Sequence, residues 1–188
     1  MLVEIAGSGV LIEGAPGIGK STLALELLDR GHRLIADDVI EVHSKASSFP
    51  RRRESSGLGK ALGPRLRGDD GKILIGRCPA LLYGYLTVRG LGALDVRQHF
   101  GAGALQKECA INLLIQLESG ASTGDALSGT RRLMRCNGAP LPCIALQPGH
   151  NLAVLIEAAC RAEQLRRKGF DAAAALARRQ QKALQHRP

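Results

Sequence analysis

Residues 14–21 read Gly14-Ala15-Pro16-Gly17-Ile18-Gly19-Lys20-Ser21, and Thr22 follows. Glycines at this spacing let successive backbone N–H groups converge on phosphate oxygens without Cβ clashes. Lys20 can then reach the outer phosphates of a nucleoside triphosphate, and the Ser21 hydroxyl can ligate a magnesium ion. Residues 14–22 are therefore candidates for nucleoside triphosphate binding, with Ser21 as the metal ligand. A second pair able to do chemistry is Asp37-Asp38, two acids inside the apolar stretch 34–42. On a strand they would face opposite ways, one toward the phosphates and the other holding a loop or neighbouring backbone. A third candidate is Arg89 in Val88-Arg89-Gly90-Leu91-Gly92. It reads either as a phosphate ligand beside a close backbone approach or as the surface arginine of a β-turn.

Positioning these residues requires a strand, then the loop, then a helix. Residues 9–13 form the apolar run, and residues 21–30 place Leu23, Leu27 and Leu28 at helical spacing. That order puts the positive end of the helix dipole at the anion. The stretch 34–42 is expected beside the loop's own strand, as in a parallel βαβ unit. Residues 72–76 and 111–117 read as further strands, and 140–145 and 152–156 as apolar elements around Gln147-Pro148-Gly149-His150-Asn151. Residues 158–186 carry an Ala/Arg/Gln-rich helical pattern expected to dock early and fray late. Residues 47–70 break all periodicity and read as a low-complexity basic insertion.

At 188 residues and 45% hydrophobic content, with only 3% aromatics, the chain supports one full-sized α/β core filled by Ala, Leu, Ile and Val. The division expected is a domain over 1–168 and a tail over 169–188. The net charge of +9 sits largely in the insertion and tail without interleaved aromatics, so no nucleic-acid partner is expected. Neither a long apolar run nor a secretion signal is evident, which predicts a cytoplasmic protein with no membrane association. Five scattered cysteines read as reduced, mostly buried hydrophobes, and the five histidines lack metal-ligand spacing.

With the glycine loop, Arg30-Gly31-His32-Arg33-Leu34-Ile35-Ala36-Asp37-Asp38, Val88 to Val96, Phe100 to Ala104 and Pro148 to Ala153 in order, the chain resembles the catalytic domain of bacterial HPr kinase/phosphorylase. The resemblance implies an α/β P-loop kinase-like fold with a mixed or parallel sheet flanked by helices. It implies ATP and Mg2+ as cofactors and a serine of HPr, the phosphocarrier of the sugar phosphotransferase system, as substrate, with removal of that phosphate by phosphorolysis and assembly into hexamers. Asp38 would accept the serine proton and return it in the reverse reaction, Lys20 would hold the β- and γ-phosphates, Ser21 would ligate magnesium, and Asp37 would support the metal or the loop. Three positions depart from the family pattern. Thr87 stands where the family's Glu-Ile-Arg-Gly-Leu-Gly has a magnesium-binding glutamate, Ala126 where an arginine is expected, and His150 where Pro-Gly-Arg-Asn has its arginine. A family regulatory domain and an upstream histidine have no counterpart in the 188 residues. The second reading is a catalytically impaired, nucleotide-binding regulatory relic; the third is a small-molecule P-loop kinase.

Overall fold

The computed structural model describes residues 1–46, 72–120 and 129–185. The expected insertion, Ala126 and the last three residues, His186 among them, lie outside these. In chain order the elements are β1 (Leu2–Ile5), β2 (Ser8–Gly14), α1 (Lys20–Asp29), β3 (Arg33–Ala36), β4 (Glu41–Ala46), β5 (Lys72–Arg77), β6 (Tyr85–Val88), β7 (Gly92–Asp95), α2 (Val96–Phe100), β8 (Glu108–Leu117), β9 (Arg132–Cys136), β10 (Ala139–Leu146), α3 (Leu152–Arg167) and α4 (Ala172–Gln185).

A mixed sheet in the order β3-β1-β2-β8-β10-β9 forms the spine, with β5 pairing the start of β8 and β4 pairing β5. Strands β2, β8 and β10 run parallel, while β1 is antiparallel to both β2 and β3. The expected neighbourhood of β2 and β3 is thus corrected. Ala6 and Gly7, both at positive φ, fold β1 back on β2 in a two-residue hairpin, and β1 takes the place beside the loop's strand. β3 still runs parallel to β2, one strand further out.

Alternation along β2 sends Val10 and Ile12 to one face and Leu11 to the other. On the first face, Leu23, Leu27 and Leu28 of α1 and Ile156 and Cys160 of α3 join Leu113, Ile115, Leu86 and Val88 in the main core. On the second, Leu2, Leu11, Ile35, Leu114 and Leu141 pack with Leu74 of β5 and the half-buried Ile40 and Val42. The stretch 111–117 is a central strand, but it does not alternate throughout. The pairing shifts from Gly9–Ile111 to Val10–Leu113, so Asn112 is bulged and Ile111 changes face. The bulge is held by the Gly9 N–H on Asn112 Oδ1 (3.3 Å) and by Arg167 on the Asn112 carbonyl (2.7 Å).

The C-terminal helical pattern is two helices, because Gly169 stops α3 and Asp171 begins α4 by accepting the Ala174 N–H. α3 buries Ile156, Cys160 and Glu163; α4 buries none of its residues. Cys109, Cys143 and Cys160 are buried and all five cysteines are free, and among the described residues no helix is long and apolar enough to cross a membrane.

Candidate active site

Parallel strand direction decides where the motifs gather. β2 ends in the glycine loop, β3 ends at Asp37-Asp38, and β10 ends in the segment carrying His150, all at one edge of the sheet. That edge is where open α/β sheets bind ligands.

Within the loop, Gly17 and Gly19 hold φ of 81° and 101°, a region closed to most side-chain-bearing residues, and Gly19 leads directly into α1. Ala15, Pro16, Gly17, Gly19 and Thr22 are exposed, whereas Gly14, Ser21 and Lys20 are half-buried and Ile18 packs against the core. The helix therefore opens at Lys20, one residue before the expected Ser21. Lys20 Nζ donates to the carbonyls of Gly14 (2.8 Å) and Ala15 (3.1 Å). With three N–H donors on an ammonium, this fixes its direction and leaves one for an anion.

Asp37 and Asp38 lie in a bend after β3, not inside a strand, so strict alternation does not place them. The chain must leave the sheet there to reach β4. Asp37 is half-buried and Asp38 exposed. Burial pushes the Asp37 carboxyl above its ordinary range; the Thr87 N–H on Oδ2 (3.1 Å) pulls it back, the Asp38 charge adds to the rise, and Lys20 opposes it. Lys20 and both acids thus share one electrostatic neighbourhood.

Arg89 sits at the tip of the β6–β7 hairpin, between Val88 and the positive-φ Gly90. A Cβ placed on Gly17 would lie 3.5 Å from Arg89 Nη1, which puts the guanidinium over the phosphate loop. The hairpin is anchored through Leu86 and Val88, both in the core beside α1. The structure brings Arg89, Lys20 and the acid pair together; His150 is exposed at the start of α3, ahead of Asn151 at φ 66°.

The Arg30-Gly31-His32-Arg33 segment does something the sequence did not disclose. Arg30 grips Glu157 with two hydrogen bonds of 2.8 Å, and His32 Nε2 meets the same carboxylate at 2.8 Å. Arg33 pairs with the buried Glu4 at 2.7 Å. These contacts fix the turn from α1 into β3 against α3 and β1, and so set where the acid pair emerges. Glu157 is 125 residues from His32, and no local signal marks it.

A phosphate chain fits this loop on three counts: exposed amides in a positive-φ turn, a helix N-terminus, and cations from Lys20 and Arg89. Magnesium fits less fully, since the Ser21 hydroxyl is the loop's donor, Thr87 adds no carboxylate, and the described residues hold no cluster of three His, Cys, Asp or Glu. A magnesium ion takes one or two carboxylates beside phosphates and water, and the acid pair in the electrostatic neighbourhood of Lys20 is the carboxylate source this site offers.

Loop, acid pair and sheet order define a P-loop α/β domain of the kinase-like type. A profile of the HPr Serine kinase C-terminal domain matches residues 1–56 and 65–180, and the chain belongs to that family. It is 39% identical over its full length to the HPr kinase/phosphorylase of Xylella fastidiosa strain M12 and 40% identical to that of Stenotrophomonas maltophilia strain K279a. It covers 54% of each, so the chain spans about half the length of these curated relatives. The solved Hpr(Ser) kinase/phosphatase of Coxiella burnetii superposes with a TM-score of 0.68 at 32% identity, over 89% of this chain and 95% of that one.

Proposed function

We propose that residues 1–168 form the catalytic domain of an ATP-dependent kinase that phosphorylates a serine of HPr, and that the same site runs the reverse phosphorolysis. The observation carrying this reading is the convergence of Lys20, Arg89 and the acid pair on the glycine loop. The names of the relatives supply HPr as substrate. Bound ATP with Mg2+ supplies the phosphoryl group and neutralises charge that develops on it. Residues 14–22 hold the phosphates through main-chain N–H groups, Ser21 offers the metal its hydroxyl, and Lys20 and Arg89 hold the β- and γ-phosphate oxygens. Exposed Asp38 accepts the proton of the incoming serine, and in the reverse direction gives it back. The proposal includes a cytoplasmic location, hexameric assembly and no nucleic-acid or membrane partner; residues 169–188 are assigned outside the catalytic unit.

A phosphotransfer assay with purified chain, labelled ATP, Mg2+ and HPr tests this, with Asp38→Asn alongside. Label should pass to HPr and fall by about 10²-fold or more in the variant. Equal labelling by the variant removes Asp38 as the base; ATP binding without any labelling favours the nucleotide-binding relic.

A further inference from the structure

The geometry points to Asp37 as a positioning residue: by accepting the Thr87 N–H, its carboxylate registers the β6–β7 hairpin so that the Arg89 guanidinium lies over Gly17 of the phosphate loop. This rests on the nucleotide reading above and names a part of that site which the reaction itself leaves unassigned.

The hairpin is a two-stranded sheet, so β6 pairs with β7 along one edge and presents its other edge to the acid pair. Thr87 is the β6 residue whose outward N–H finds Asp37 Oδ2, at 3.1 Å. Two kinds of force hold the hairpin. Leu86 and Val88 are buried beside α1, which fixes how deeply β6 sits. Burial is non-directional and tolerates a slide along the strand axis. A hydrogen bond to a charged acceptor is directional and does not. Arg89 is two residues beyond Thr87, at the far end of that lever, and its Nη1 lies 3.5 Å from where a Cβ on Gly17 would stand. A small slide of β6 would carry the guanidinium off the loop while leaving the apolar contacts nearly intact. Because the donor is main chain, the tether does not depend on the side chain at position 87.

Affinity for ATP, read by displacement of a fluorescent ATP analogue from the full chain, is compared across Asp37→Ala, Asp37→Asn, Arg89→Ala and the double variant Asp37→Ala/Arg89→Ala. Asp37→Ala should weaken ATP by about tenfold, and Asp37→Asn, which keeps an acceptor oxygen, by no more than about twofold. In the Arg89→Ala background, Asp37→Ala should cost no more than about twofold, because the group it positions is gone. An undiminished cost in that background, or an Asn variant as weak as Ala, overturns the proposal in favour of direct or purely electrostatic action. Hydrogen exchange over residues 85–89 provides the second reading, faster in Asp37→Ala and unchanged in Asp37→Asn. Should the unmodified chain bind no ATP, the nucleotide reading fails on its own. The tether is then judged by exchange, and unaltered exchange in Asp37→Ala overturns it.

Discussion

At position 87 the side chain and the main chain answer to different partners. The Thr87 N–H serves Asp37, while the side chain is exposed, at the position where the resemblance leads one to expect a carboxylate. Thr87→Glu therefore adds a metal ligand without removing the tether. It also adds a third negative charge beside Asp37 and Asp38, which repels them unless a cation intervenes. Two opposite outcomes follow from one substitution. With magnesium saturating, phosphotransfer kcat/KM should rise by about tenfold or more; with magnesium chelated, the melting temperature should fall below that of the unmodified chain. A melting temperature indifferent to magnesium would mean that position 87 does not face the metal.

Helix α3 is tied to the turn between α1 and β3 by one carboxylate, and that element-level joint has a definite pH signature. The Arg30 guanidinium, then the His32 ring, hold Glu157 down to about 2 from an ordinary value of 4.5, with burial opposing them. A carboxyl depressed in the folded state contributes stability that is complete above the unfolded value and is lost as pH falls from about 4.5 toward 2. Glu157→Gln should lower the melting temperature at neutral pH by a few degrees and flatten the acid limb of a stability–pH curve across that window. An unchanged acid limb, followed by circular dichroism, would place the acid sensitivity elsewhere, with the buried Glu163 between Arg131 and Arg166 as the next candidate. Glu163 is also depressed: burial pushes it up, but Arg131 and its neighbouring arginines outweigh that.

At the scale of the whole molecule, what could be read from the sequence follows how far apart the interacting residues lie. The phosphate loop and its flanking strand and helix are local, and glycine spacing with leucine periodicity marks them within about twenty residues. Strand order is not local, which is why β1 between β2 and β3 went unforeseen, as did the Asn112 bulge that moves Ile111 to the other face. Lys20 and the acid pair could be named as types with roles, yet the placement of the Arg89 guanidinium over Gly17 and the grip of Arg30 and His32 on Glu157 exist only once the sheet has assembled. The edge built this way couples ligand binding to global stability, because the loop, acid pair and hairpin tip hang on the two cores that share one sheet. ATP with Mg2+ at a hundred times its dissociation constant should stabilise the fold by about 2.7 kcal/mol. Lys20→Ala should abolish most of that thermal shift, since it removes a cation aimed at the phosphates, whereas Asp38→Asn should preserve it while losing phosphotransfer. A shift lost equally in both would show that Asp38 acts in binding rather than in proton transfer; a shift retained by Lys20→Ala would place the triphosphate somewhere other than the glycine loop.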